Sequence, residues 1–197
     1  TDVTVTDQTA SYKVTFTSTW SAATHPTSFP ANPHFSGLIG GAHNASVTFW
    51  QEGSTASDGI KDMAELGQKA LLDAEVQAAI AAGNAAAVLS GGGIPLSPGE
   101  VEMTFAKNAD FPHVTLVSMI APSPDWFVGV ESLSLLEDGS WTDSIVIQHH
   151  AYDAGTDSGT IYTSPTDPTV PRVGISRLTT SPFDVPASMG TFVFTRQ

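Results

Sequence analysis

The stretch YKVTFTSTW, Tyr12 to Trp20, alternates without a break: Tyr12, Val14 and Phe16 fall on one face, Lys13, Thr15 and Thr17 on the other. A period of two sends successive side chains to opposite sides of an extended chain, so this is a half-buried strand. EVEMTF repeats the pattern, with Val101, Met103 and Phe105 inward and Glu100, Glu102 and Thr104 outward. HVTLVSMIA is instead a nearly continuous apolar run, which suits a central strand covered on both faces. ASVTFWQ (Ala45 to Gln51), WFVGVESLSLL, SWTDSIVIQ and the terminal GTFVFTR bring the total to seven or eight strands separated by turn signals. That arrangement is the signature of a sandwich or barrel.

One region breaks the alternation. From Asp58, Ile60, Met63, Ala64 and Leu71 fall near helical spacing, with Ser57 or Asp58 placed to cap the start. Strong helix formers continue until Gly83-Asn84 supplies a stop, so one or two helices are expected between Asp58 and Ala82. The segment ATHPTSFPANPHFSGLIGGAHN is dense in Pro, Gly and His and reads as a long ordered loop. SGGGIPLSPG reads as a flexible connector, because it lacks the Lys-Ser/Thr of a phosphate loop.

Composition narrows the partners. Twenty Asp and Glu stand against seven Lys and Arg, a net charge of −13. Such a surface disfavours nucleic acid and anionic membranes, which need basic neutralisation, and favours divalent cations or basic partners. No cysteine is present, so disulfides and thiolate metal sites are excluded. No apolar run approaches the roughly 18 residues of a membrane span. The chain opens on Thr1 with no apolar signal core and is read as the mature product of a secreted, extracellular protein. At 197 residues, it is expected to be one domain, 1–197.

The turn AYDAGTDSG, Ala151 to Gly159, sets two aspartates four apart between glycines. Carboxylates that close repel unless a cation lies between them, so Asp153 and Asp157 hold a metal, a substrate, or only their own turn. Asp125, in APSPDWFVG, is a further candidate oxygen donor. His25, His34 and His43 share one loop, and His149 and His150 are adjacent; imidazoles in such groups can hold zinc or copper, although strand neighbours point to opposite faces. Trp126 and Trp141 lie beside acidic loops, where they could stack on sugars or serve the core. No nucleophile elbow or zinc-protease helix occurs, and a hydrolase would have to use carboxylates such as Glu102 or Asp125.

SPDWFVGVESLSLLEDGSW, then AYDAGTDSGTIYTSP and PTVP, resemble the spondin domain (spondin_N) family, including its single-domain bacterial members. Upstream, YKVTFTSTWS, HFSGLIGGAHN and MAELG agree in order, so the resemblance covers nearly the whole chain. It implies a C2-like antiparallel β-sandwich of about eight strands with a short helical insertion. It also implies a non-catalytic extracellular module of the cell-adhesion type that contacts a cell-surface or matrix protein or a glycan, with calcium-dependent carbohydrate binding as the alternative. The family's calcium ligands match Asp125 and Asp153, with Glu102 as the third and Glu100 and Asp110 as its competitors. Asp157 is then expected to pin the loop or act from behind the ligands. The chain departs from animal members in having no cysteine and in carrying His149 and His150 beside the turn.

Overall fold

The computed structural model describes residues 7–184 and 187–197; residues 1–6, read above as the start of a mature product, lie outside them. In chain order the strands are β1 (Thr9–Ser18), β2 (His34–Phe35), β3 (Ile39–His43), β4 (Ala85–Ser90), β5 (Gly99–Asn108), β6 (His113–Ala121), β7 (Trp126–Ser134), β8 (Leu136–Glu137), β9 (Ser140–Trp141), β10 (Ser144–His149), β11 (Tyr152–Asp153), β12 (Ser176–Arg177) and β13 (Gly190–Arg196). Two helices, α1 (Asp58–Leu66) and α2 (Ala70–Ala81), fall between β3 and β4.

Two antiparallel sheets form a sandwich. The first has the order β10-β13-β1-β5, the second β12-β11-β7-β6-β3-β4 with β2 added against β6, and β8-β9 is a separate hairpin. The alternation in β1 decides what the first sheet does. Tyr12, Val14 and Phe16 point inward with Phe105, Phe192 and Phe194 from its neighbours and meet Val114, Leu116, Ile120, Val128 and Val130 from the second sheet. Phe16 and Phe192 cross edge-to-face at 4.8 Å, an arrangement that adds about 0.5–1.5 kcal/mol beyond the area it buries. The outward face of the first sheet carries Lys13, Thr15, Glu100 and Glu102 and is solvated.

The second sheet is covered twice. Val117, Met119 and Ala121 of β6 face Ile60, Met63, Leu72 and Val76 of the helices, while the other parity of β6 faces the sandwich. This double burial is why β6 reads as one apolar run. Ser57 caps α1, its Oγ accepting from the Ile60 N–H at 3.1 Å, and Gly67 ends the helix at φ 66°.

Three expectations are corrected. Ala45–Gln51 is not a strand; Phe49 and Trp50 drop into the helix-side core, where the Trp50 indole donates to the Val130 carbonyl at 3.2 Å. The segment read as a long loop contains β2 and the fully buried β3. Glycine is required in β3 because a Cβ on Gly40 would lie 2.0 Å from the Thr115 carbonyl oxygen, so residues that read as loop formers allow two strands to approach closely. The connector SGGGIPLSPG is packed rather than free: Phe35 and Ile94 exchange backbone hydrogen bonds at 2.9 and 3.1 Å.

Candidate metal centre

Asp125 lies between β6 and β7 in a turn built by Ser123, whose Oγ accepts from the Trp126 N–H at 3.0 Å. Asp153 is 28 residues later in sequence, and the β7–β11 ladder closes that gap. Tyr152 pairs with Phe127 and Asp153 with Trp126, while the Ala154 N–H donates to the Asp125 carbonyl at 3.1 Å. Backbone pairing therefore sets the two carboxylates close together.

The Asp125 side chain is fully buried. Its Oδ2 accepts three hydrogen bonds: from the Thr156 N–H at 2.8 Å, the Asp157 N–H at 3.1 Å and the Thr156 hydroxyl at 3.2 Å. Successive backbone N–H groups of this kind form a concavity suited to an anion. Oδ1 is equally buried and has no partner. Burial first, and the Asp153 charge second, push the Asp125 carboxyl up to about 6 against the pull of those N–H groups.

Asp153 is half-buried, its Oδ1 accepting from the Gly155 N–H at 2.7 Å, and burial raises its carboxyl above the usual range. The Trp126 indole N–H meets no partner in hydrogen-bond geometry, yet lies near enough to Asp153 to favour its charged form. Gly155 has φ 73°, and a Cβ there would stand 2.4 Å from the Val173 carbonyl, so both conformation and space demand glycine at this bend.

Asp157 pins the loop. Its Oδ1 accepts from the Gly159 N–H and its Oδ2 from the Asp167 N–H, both at 2.8 Å, while its own N–H serves Asp125. Glu102 is not brought to the pair. It stands on the solvent face of β5, bonded to Lys13 at 2.9 Å and to the Thr15 hydroxyl at 3.0 Å, and these contacts hold its carboxyl below the usual range. Its competitors are also elsewhere: Glu100 bonds Thr17, and Asp110 sits in the exposed turn after β5. Among the described residues, no three His, Asp or Glu side chains converge on one point. A cation between Asp125 and Asp153 would need backbone carbonyls and water to complete its shell, which calcium accepts readily.

Neither histidine group read from the sequence, His25/His34/His43 or His149/His150, converges on one point. His25 is buried against Thr24, His34 bonds the Asn32 carbonyl, and His43 is held by the Asn44 carbonyl and the Thr115 hydroxyl. His149 points into the core beside Phe16 and Phe192, where burial pushes its imidazole down to about 3. His150 lies just past the end of β10 and bonds Arg177 through Nδ1. Trp126 and Trp141 are both buried, Trp126 among Tyr162 and Phe183, Trp141 with its indole N–H on the Asp7 carbonyl, so neither is a platform for sugars. Sequence reasoning passed over Thr156, whose backbone N–H and hydroxyl both hold Asp125; the run from Gly155 to Asp157 was its only available signal.

The Spondin_N family profile matches residues 10–190. Spondin-2 of Rattus norvegicus and of Homo sapiens are each 34% identical to the chain over 183 residues, 91% of its length. Spondin-1 of Gallus gallus is 36% identical over 179 residues, 87% of its length. The matched region spans 56% and 55% of the two spondin-2 proteins and 22% of spondin-1, so the chain corresponds to about half of the former and a smaller part of the latter. With a match across nearly all of its sandwich, the chain belongs to the Spondin_N family.

Proposed function

We propose that the chain is an extracellular, non-catalytic binding module of the adhesion type, held in its working form by a calcium ion between Asp125 and Asp153. One observation carries the reading. A fully buried carboxylate has three donors on one oxygen and none on the other, and it lies beside a second carboxylate. Without a cation that arrangement is unfavourable, since the buried oxygen lacks a partner and the like charges repel. The donor set is all oxygen, which favours a hard cation over zinc or copper. When bound, the ion would supply positive charge that joins the β6–β7 turn to β11. Asp157 and Thr156 would hold the Asp125 carboxylate in place from behind.

The non-catalytic part rests on accessibility. Asp125 is closed to solvent and Glu102 is engaged on another face, so this pair does not flank a substrate as hydrolysis of a glycosidic bond requires. Among the described residues, no helix is long and apolar enough to cross a membrane. The partner, a cell-surface or matrix protein or a glycan, would meet loops that the ion has fixed.

Metal analysis of the untreated protein, followed by melting curves with and without chelator, tests the reading. One calcium per chain and a melting temperature several degrees lower in chelator are expected, because a ligand bound only by the native state stabilises it by mass action. A protein free of metal, with a melting curve indifferent to both chelator and added calcium, would remove the proposal. Turnover in a glycoside and ester hydrolysis panel would remove the non-catalytic part alone.

A further inference from the structure

A cleft of about 340 Å³ opens beside the His150–Ala151 step, just past the end of β10. Its walls hold an uncommon cation. Among the described residues, Arg172 pairs with Asp58 and Arg196 with Asp7, whereas Arg177 makes no ion pair, although the chain carries 20 acidic residues. Asp184 lines the same cleft but stays outside ion-pair distance. Glu52 meets only the Arg177 backbone, accepting its N–H at 3.4 Å.

The Arg177 guanidinium instead donates from Nη2 to Nδ1 of His150 at 2.9 Å. That contact fixes the imidazole as neutral, with its proton on Nε2. Among the described residues the remaining guanidinium N–H groups make no side-chain bond, and they form a planar fork beside the cleft that matches a carboxylate or phosphate, while the imidazole Nε2–H points away across the ring. The rest of the cleft suits a small body with hydroxyls: Phe183 and Met189 are apolar, while Thr179 and Asp184 can bond to hydroxyl groups. The volume falls in the range of small-ligand sites.

We propose that this cleft binds the anionic group of a compact, hydroxylated organic acid of monosaccharide size through the Arg177 guanidinium, which His150 holds in place through Nδ1. Arg177 lies across from Tyr152 in the β11–β12 ladder, so the strand that carries Asp153 is paired with the strand that carries Arg177. The inference stands on the cleft itself and does not require the metal.

Titration of the full chain by NMR with glucuronate, glucose 6-phosphate and glucose tests it. Both anions are expected to shift the resonances of the cleft residues and to bind roughly tenfold or more tightly than glucose, with affinity falling as salt is raised. The stronger of the two anions identifies the group as carboxylate or phosphate. Arg177→Gln should weaken anion binding at least about tenfold at an unchanged melting temperature, and Asp184→Asn should strengthen it by removing a like charge. Glucose binding as well as the anions, no binding of either anion, or an Arg177→Gln protein that keeps its affinity would each overturn the assignment. Should Arg177→Gln fold poorly, the Asp184→Asn protein decides: unchanged or weaker anion binding there also overturns it.

Discussion

A buried charge stands at each end of β6, and the two are treated in opposite ways. At the start of the strand, Lys107 from β5 is 2% exposed and donates from Nζ to the His113 carbonyl at 2.7 Å. Its neighbours are the stacked imidazoles of His43 and His113, and burial pushes the ammonium down to about 7. Beyond the other end, Asp125 is fully buried, yet three donors are aimed at one of its oxygens, and a second carboxylate is held beside it. The lysine site is arranged for an amine that gives up its proton. The aspartate site is arranged for a carboxylate that keeps its charge, although burial and Asp153 oppose that charge. Donors aimed at an anion, placed next to another anion, are what a cation site looks like without its cation.

The largest expected effect breaks the comparison at its lysine end. The folded Lys107 is held below its ordinary 10.5, so between pH 7 and 10.5 the unfolded chain binds more protons, and stability rises with pH across that window. The fall from 10.5 to about 7 sets a ceiling of about 5 kcal/mol on the rise. Lys107→Met removes the charge and keeps the apolar stem, so the variant should be more stable than the parent at pH 6.5 and show none of that rise by pH 9.5. Denaturant unfolding at the two pH values measures both. A parent protein with no such rise would mean that water reaches Nζ.

At the aspartate end the sign reverses. In chelator, the folded Asp125 lies near 6, above its ordinary 3.8, so stability should fall as pH rises from about 4 to about 6, by up to about 3 kcal/mol. Asp125→Asn keeps an oxygen for the Thr156 and Asp157 N–H groups and removes the like charge. In chelator at pH 7 it should therefore be more stable than the parent. In saturating calcium it should be less stable, because the parent alone gains the ion. Equal behaviour of the variant and the parent under both conditions would mean the two ends of β6 do not differ in kind.

The two ends also differ in how well the sequence announces them. Lys107 follows Val101, Met103 and Phe105 in strict alternation, so parity alone sends it inward, just as parity sends His149 inward after Ile145 and Ile147. β1, β5 and β13 were legible for the same reason: one face of their sheet meets water, and composition records which. The second sheet has no wet face near its centre. β3 is therefore written in glycine, which lets it approach β6 closely, while β4 at the sheet edge is written largely in alanine, a helix former, and both strands were missed. Trp126 and Trp141 stand beside acidic loops in sequence but turn inward in the fold, which nothing local signals. The meeting of Asp125 with Asp153 follows from a two-pair ladder between β7 and β11, too short to read from periodicity; only the resemblance pointed to it.

A smaller effect sharpens the aspartate end. Asp157 holds the N–H groups of Gly159 and Asp167 and presents its own to Asp125. Asp157→Ala leaves two N–H groups without their acceptor, at a cost of about 1–3 kcal/mol in chelator and calcium alike. Calcium affinity should weaken as well, by less than in Asp125→Asn, because Asp157 acts through the loop. A loss of affinity as complete as that of Asp125→Asn would instead make Asp157 a direct ligand, turned from its loop partners when the ion binds.

The smallest expected effect belongs to Glu102. Its carboxylate is exposed, on the outer face of the other sheet, and bonded to Lys13 and Thr15. Surface pairs of this kind contribute little, since solvent screens both charges. Glu102→Gln should therefore leave calcium content and the difference in melting temperature between calcium and chelator as they are in the parent. The same measurement on Asp153→Asn should lower both, because Asp153 is the carboxylate that the β7–β11 ladder sets beside Asp125. A loss of calcium in Glu102→Gln with none in Asp153→Asn would move the metal to the first sheet and leave the aspartate end of β6 as a strained turn.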